Sequence, residues 1–218
     1  MIQFQKNMLI GKKISVIFFD FDGVIKDSVK VKSDAFEILF STFGIHLFKK
    51  VRMHHENHTG LPRHDKLSLY IEWSGQKVSS KLIDEYADKF SNLVKKKVIC
   101  SEWVPGILSF LESNWQKKSF FLVTATPQNE IEQIISELNI KHYFQEIIGS
   151  PVRKNVSVKS LLKKYSVSKK NSLLIGDSIS DYDAASYNDI SFILRKTRLN
   201  KSLQSKLDCP MISDFVDL

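Results

Sequence analysis

The stretch Val16-Ile17-Phe18-Phe19-Asp20-Phe21-Asp22-Gly23-Val24 constrains this chain more than any other. Its run of four apolar residues suits a strand buried on both faces of a parallel sheet. The run ends in two carboxylates, Asp20 and Asp22, and residues two apart project to the same side of a strand end. Gly23 then lets the chain turn away without a side chain in the gap. Two carboxylates held together repel unless a cation lies between them, so the pair points to a hard divalent metal such as Mg2+. Taken alone, the same residues equally fit a solvated Asp-Phe-Asp-Gly turn. Segments further along the chain decide between the two.

After Gly23 the pattern changes. From Asp27 to about Trp103 there is only helical periodicity. Ala35, Phe36, Leu39, Phe40 and Phe43 recur at helical spacing, and Gly44 sits where that helix would end. Further helices are predicted over Phe48–Asn57 and Pro62–Trp73. A fourth starts with Ser79 or Ser80 as N-cap and carries Leu82, Ile83, Tyr86, Phe90, Leu93 and Val94 on one stripe. An α/β pattern then resumes. Pro105-Gly106 opens a helix, Phe120–Val123 reads as a buried strand, and Pro127 falls in the first turn of a helix holding Ile131, Ile134, Ile135 and Leu138. Ile147-Ile148, Leu173–Ile175 and Phe192–Leu194 are the remaining strands, the last of them the final clear one, with a helix over Val156–Tyr165. Such alternation predicts an α/β fold, a doubly wound, Rossmann-like parallel sheet that binds ligands at the carboxyl ends of its strands. Residues 1–26 and 104–218 are expected to form that core and 27–103 an inserted all-helical domain.

Composition narrows the partners. The net charge of +8 favours anions. Its lysines are dispersed in pairs and triplets such as Lys95-Lys96-Lys97 and Lys163-Lys164, which suit solvated helix faces, and no nucleic-acid-binding pattern accompanies them. A small anionic substrate is expected, with no nucleic acid and no membrane partner. Cys100 and Cys209 offer neither metal spacing nor a disulfide framework. Met1 to Phe19 does not read as a signal peptide, and no stretch approaches transmembrane length. Together these predict a cytoplasmic protein.

Each polar motif follows a strand: Asp20 and Asp22 end one, Thr124 the next, and Asp177 and Asp181 a third. Carboxylates, a hydroxyl with free backbone N–H groups and a lysine form a set suited to phosphoryl transfer. A carboxylate that attacks a phosphate dianion meets repulsion, which metal and lysine must first neutralise.

Asp20-Phe21-Asp22-Gly23-Val24, Phe121-Leu122-Val123-Thr124, Lys154 in Gly149-Ser150-Pro151-Val152-Arg153-Lys154, and Gly176-Asp177-Ser178-Ile179-Ser180-Asp181 occur in this order. Together they resemble the four motifs of the haloacid dehalogenase-like superfamily of Mg2+-dependent aspartyl phosphatases, in its branch with a helical cap after the first motif. The resemblance implies Asp20 as the nucleophile that takes the phosphoryl group. It implies Asp22 as general acid and then base, with its backbone carbonyl on the metal. Asp20 and Asp177 would bind Mg2+ through their carboxylates, and Asp181 would orient the metal's waters or Lys154 from behind. Thr124 Oγ and the Ala125 N–H would hold a phosphate oxygen, and Lys154 would neutralise charge on the phosphoryl group.

Competing residues remain at this stage. Thr126 reads as an N-cap before Pro127, and Lys159 is an alternative third-motif lysine. Arg63, after Thr59-Gly60-Leu61-Pro62, is a candidate for an acidic group of the substrate or a solvated first-turn arginine. His54, His55, His58 and His64 suggest solvated or substrate-facing histidines ahead of a metal site, while Phe21 and Lys26 border the entrance. The function expected is Mg2+-dependent hydrolysis of a small phosphomonoester metabolite, a sugar phosphate or a phosphoglycolate-like acid. A phosphomutase of the β-phosphoglucomutase kind is the alternative, although Gly176 stands where such enzymes carry an acidic residue. A dehalogenase would not need the Gly-Asp-x-x-x-Asp carboxylates. A non-enzymatic binding protein would have lost charged motif residues.

Overall fold

The computed structural model describes residues 13–216 and Leu218. The expectations for the amino-terminal stretch lie, over residues 1–12, outside the described residues. Among the described residues, six parallel strands form one sheet in the order β3-β2-β1-β4-β5-β6. They are β1 (Val16–Phe19), β2 (Ser119–Pro127), β3 (Glu146–Ser150), β4 (Ser172–Gly176), β5 (Ser191–Arg195) and β6 (Met211–Ile212). All four residues of β1 are buried, as a central strand with helices on both faces requires. Alternate residues divide between two apolar layers. Ile17, Phe19, Phe120, Leu122, Leu173 and Ile175 point to one, while Val16, Phe18, Phe121, Val123 and Leu174 point to the other. Phe18 and Phe121, paired in register, stack with ring centroids 5.3 Å apart. Each such ring contributes roughly 1.5–3 kcal/mol by leaving water.

The first layer is completed by α5 (Ile107–Asn114) and α6 (Gln128–Glu137), the second by α7 (Lys154–Lys164) and α8 (Ile179–Tyr187); α9 (Lys201–Lys206) follows β5. Between β1 and β2 the chain forms α1 (Val29–Phe40), α2 (Ile45–Asn57), α3 (Arg63–Trp73) and α4 (Ser80–Cys100). An aromatic cluster holds these helices together: Phe36 meets Tyr70 edge to face at 5.4 Å, and Phe40 stacks on Tyr86 at 5.2 Å. Ser79 is the N-cap of α4, its hydroxyl accepting from the Leu82 N–H at 3.2 Å. Lys26 pairs with Asp22 on one side and antiparallel with Trp103 on the other, so the chain leaves and re-enters the sheet side by side.

Some boundaries differ from the sequence reading. The first helix stops at Phe40, and Ser41–Phe43 forms a 3-10 turn before Gly44, whose φ of +92° favours glycine. The second helix starts at Ile45, three residues before Phe48. β2 continues through Thr126 to Pro127, because Pro127 pairs with Ser150 of β3. β6 adds a short edge strand beyond Phe192–Leu194. Lys26 does not border the entrance: its amine donates to the Ile99 carbonyl at 3.0 Å and lies over the Trp103 ring. No described helix is long and apolar enough to cross a membrane.

Candidate active site

The carboxyl ends of β1, β2 and β4 converge on one cavity, lined from the sheet by Asp20, Asp22, Thr124, Ala125, Thr126 and Asp177. The turn after β1 is built on the Phe21 carbonyl, which accepts from the N–H groups of Val24, Ile25 and Lys26. Gly23, at φ +74°, is required twice over. Its backbone conformation disfavours other residues, and a Cβ there would lie 2.3 Å from Asp177 Oδ2.

Asp20 Oδ1 accepts from the Phe21 N–H at 2.7 Å, and Asp20 Oδ2 is 2.8 Å from Lys154 Nζ. Lys154 is the first residue of α7, which carries its amine inward to reach Asp181 Oδ1 at 2.6 Å as well. Lys159, one turn further along α7, lies instead over the Tyr187 ring. Asp181 is fully buried, and its other oxygen accepts from the Ser178 N–H at 3.1 Å and the Ser178 hydroxyl at 2.5 Å. Gly176 leaves room for Asp181: a Cβ at 176 would fall 2.2 Å from the Asp181 Cβ.

Burial pushes the Asp20 carboxyl up to about 7; Lys154 opposes the shift, while Asp181 and Asp22 add to it. Asp177 is raised well above the usual carboxylate range by burial, then by Asp20 and Asp181. Oxygens of Asp20, Asp177 and Asp181 all lie within 4.8 Å of one another, three buried carboxylates facing one ammonium. Such an oxygen-only, electron-rich set fits a hard divalent cation, which would offset the repulsion among the carboxylates.

Asp22 has a different environment. It pairs with Lys32 of α1, accepts from Ser28 Oγ at 2.6 Å and from Thr126 Oγ1 at 3.2 Å. Burial would raise its pKa, but the charge and hydrogen bond of Lys32, with the two hydroxyls, outweigh it and leave Asp22 below the ordinary carboxylate range. Thr126 is therefore not a helix cap. It is a strand residue that bridges Asp22 and Lys32, whose Nζ donates to Thr126 Oγ1 at 2.8 Å. Thr124 is buried, and its Oγ1 accepts from the Thr126 N–H at 3.2 Å, with Ala125 between them facing the cavity.

The helices supply the opposite wall. Arg63 reaches the cavity, but its guanidinium is engaged by Glu130 of α6, Nη2 to Oε1 at 2.7 Å and Nη1 to Oε2 at 2.9 Å. The acidic partner expected for Arg63 from the substrate is thus present within the chain. The four histidines do not gather at one site: the His54 and His58 rings stack 4.2 Å apart, His54 bonds the Tyr70 hydroxyl, His58 the His54 carbonyl, and His64 lies exposed 3.6 Å from Asp84. Only His55 lines the cavity, buried, with Nδ1 3.1 Å from Lys66 Nζ. The loop Thr59-Gly60-Leu61 touches the start of α8, since a Cβ on Gly60 would meet Ser180 Oγ at 1.8 Å.

No sequence motif marks Lys32, Lys66 or Glu130. Lys32 follows Val29 by three and precedes Phe36 by four, which is the inward stripe of α1, and that spacing was the available signal.

His55 has a consequence for stability. Burial, then the charges of Lys66 and Lys32, hold its pKa well below 6.5. The folded protein refuses a proton that the unfolded chain accepts below about 6.5, so stability falls as pH drops through that value, by up to ~1.4 kcal/mol per pH unit. Urea midpoints measured from neutral pH downward should show this slope, and His55→Leu should flatten it.

A model of the haloacid dehalogenase-like hydrolases matches residues 17–194. A phosphoglycolate phosphatase of Pseudomonas savastanoi pv. phaseolicola is 25% identical over 190 residues, covering 83% of this chain and 68% of that protein. Among solved structures, a predicted phosphoglycolate phosphatase from Haemophilus somnus superposes with a TM-score of 0.74 at 18% identity, over 94% of this chain and 96% of the other. A β-phosphoglucomutase from Clostridium difficile gives 0.73 at 20% identity, over 94% and 93%. At these identities the structural likeness speaks for the fold.

Proposed function

This chain belongs to the haloacid dehalogenase-like hydrolase family, and from that premise we propose that it is a Mg2+-dependent phosphatase of a small phosphomonoester, acting through an aspartyl-phosphate on Asp20. The observation that carries the proposal is the position of the Asp20 carboxylate. It lies between Lys154 and a crowd of buried carboxylates, in the cavity reached by the Thr124–Thr126 segment. A small acid such as phosphoglycolate, or a sugar phosphate, is the substrate class proposed, supported by the relatives' names.

In this reading Asp20 attacks phosphorus, and the bond to the ester oxygen breaks as a proton from Asp22 reaches the leaving alkoxide. Asp22 then takes a proton from water, which attacks the acyl phosphate and releases inorganic phosphate with Asp20 free. Lys32 and two hydroxyls favour the ionised form of Asp22, which suits the second half; to carry the proton of the first half, Asp22 must part from Lys32. Mg2+, held by the carboxylates of Asp20 and Asp177 and the Asp22 carbonyl, would neutralise phosphate charge and align the ester. Lys154 offsets charge on the transferring group, and Thr124 with the Ala125 N–H holds one of its oxygens. Asp181 positions Lys154. Residues 27–103 act as the cap over the core of 1–26 and 104–218. The site of action proposed is the reducing cytoplasm, in keeping with the free thiols of Cys100 and Cys209.

The test is p-nitrophenyl phosphate hydrolysis with Mg2+, after chelation, and after Mg2+ is restored. Turnover should vanish with chelation and return, and acid-quenched protein should carry phosphate on the peptide containing Asp20. Turnover indifferent to chelation, or phosphate on another residue, would overturn the reading.

A further inference from the structure

Of the four carboxylates Asp20, Asp22, Asp177 and Asp181, three are gripped by donors. Asp20 accepts from the Phe21 N–H and faces Lys154, Asp22 is bonded by Lys32, Ser28 and Thr126, and Asp181 by Ser178 and Lys154. Asp177 is the exception. It is buried and close to Asp20 and Asp181, yet among the described residues nothing donates to its carboxylate. Its direction is therefore set by its backbone. Asp177 is the first residue past β4, whose last residue, Gly176, pairs with Leu194 of β5. Beyond that pair, the Asp177 carbonyl accepts from the side-chain amide of Asn200 at 2.7 Å. Asn200 lies between β5 and α9 and is buried. Its amide has two N–H donors and an oxygen with two lone pairs, and all four are used. Nδ2 donates also to the Arg195 carbonyl at 2.9 Å, while Oδ1 accepts from the Thr197 N–H at 2.8 Å and from Gln204 Nε2 at 2.7 Å. A buried amide so saturated has one position, and it clamps the end of β4 to the loop after β5.

We propose that Asn200 is a positioning residue for the metal: by fixing the Asp177 peptide it aims, toward the cation shared with Asp20, a carboxylate that has no donor of its own. The presence of the cation rests on the phosphatase reading, whereas the role of Asn200 toward it does not depend on turnover. Rotation about the bonds beside the Asp177 peptide would swing the carboxylate, and the Asn200 amide opposes that rotation. The two common hard cations differ in how much swing they tolerate. Mg2+ demands near-ideal octahedral geometry at about 2.0–2.1 Å, while Ca2+ accepts irregular coordination at about 2.3–2.6 Å. A loosened ligand therefore costs Mg2+ more than Ca2+. Selection of Mg2+ over Ca2+ is the property that the Asn200 amide protects.

The test is Mn2+ binding to the full chain, followed by electron paramagnetic resonance, with Mg2+ and Ca2+ as competitors. Asn200→Leu, neutral and of similar size, should weaken Mg2+ by about 10- to 100-fold, the range for residues that hold metal ligands from behind. Ca2+ should weaken by no more than about threefold. Asn200→Asp keeps the acceptor and loses both donors. Its added charge favours both cations, so only the ratio of Mg2+ to Ca2+ affinity is read, and that should fall by about 10-fold. This second variant decides the matter if Asn200→Leu does not fold. Gln204→Leu removes a bond within the same loop, while the Thr197 N–H still holds the Asn200 amide with its donors in place. It should lower the thermal midpoint and keep the ratio within about threefold of wild type. An unchanged ratio in the Asn200 variants, or an equal fall in Gln204→Leu, would overturn the assignment. Wild type that binds Mg2+ and hydrolyses nothing would defeat the phosphatase reading and leave the role of Asn200 standing. Wild type that binds no divalent cation would overturn both.

Discussion

Asp20→Asn is expected to lower p-nitrophenyl phosphate turnover by about 10^4-fold or more while leaving a folded protein. The amide keeps the shape of the carboxylate and loses the nucleophilic oxygen, so no aspartyl-phosphate forms. Folding should not suffer, and the sign follows from the carboxyl's pKa. In the metal-free protein that pKa is raised from 3.8 to about 7, chiefly by burial. The unfolded chain ionises above about 3.8 while the folded one resists until about 7, so Asp20 costs stability that grows as pH rises through this window. At neutral pH the cost is on the order of a few kcal/mol, and asparagine removes it. Chelated Asp20→Asn should therefore melt at or above the temperature of chelated wild type. A variant with more than about 1% of wild-type turnover would exclude Asp20 as the nucleophile.

The second large effect is expected at the ion pair between α3 and α6. Arg63 and Glu130 are 5% and 6% exposed and joined by two hydrogen bonds, and Ser91 of α4 donates to Glu130 Oε2 at 2.6 Å. The guanidinium also lies over the Phe90 ring, 4.4 Å from its centroid. Burial alone would raise the Glu130 carboxyl, yet Arg63 outweighs it and holds the group below its ordinary range. Removing one partner leaves a buried charge uncompensated, at a cost of about 3–5 kcal/mol, a large share of the ~5–15 kcal/mol that stabilises a typical domain. Glu130→Gln should lower the thermal midpoint accordingly, and Arg63→Met with Glu130→Met should recover most of the loss, since an apolar pair needs no counter-charge. The pair ties the helical insert to the sheet side, so Glu130→Gln should also make the insert more sensitive to limited proteolysis. A loss under about 1 kcal/mol in Glu130→Gln would mean that the pair is not desolvated in solution.

Much of the sheet and its acidic ends was legible in the chain itself. Val16–Phe19, Phe120–Val123 and Leu173–Ile175 are apolar runs of strand length, and a carboxylate or hydroxyl within two residues after each lands at the same sheet edge once the strands are parallel. Lys154 was legible for a related reason: at the first turn of a helix that follows a strand, its amine can reach only the strand ends. The insert's helices were visible through their aromatic stripes, with errors of a few residues where turn and helix signals overlap, as at Ser41–Phe43.

Local pattern carries no record of which charge meets which. Lys32 and Lys66 look like solvated helix lysines, and Arg63 like a first-turn arginine, until folding brings Asp22, His55 and Glu130 against them. Thr126 misled for the same reason: Pro127 suits a helix start equally well, and pairing with Ser150 of β3 kept the segment in the sheet. Periodicity and strand-end chemistry, which depend on neighbours in sequence, were determined by the sequence alone. The pairing of Arg63 with Glu130, the bridging of Asp22 by Lys32 and Thr126, and the burial of Lys66 against His55 were decided only by the tertiary structure. An ion pair gains or loses its weight through desolvation, and desolvation is set by the distant segments that cover it.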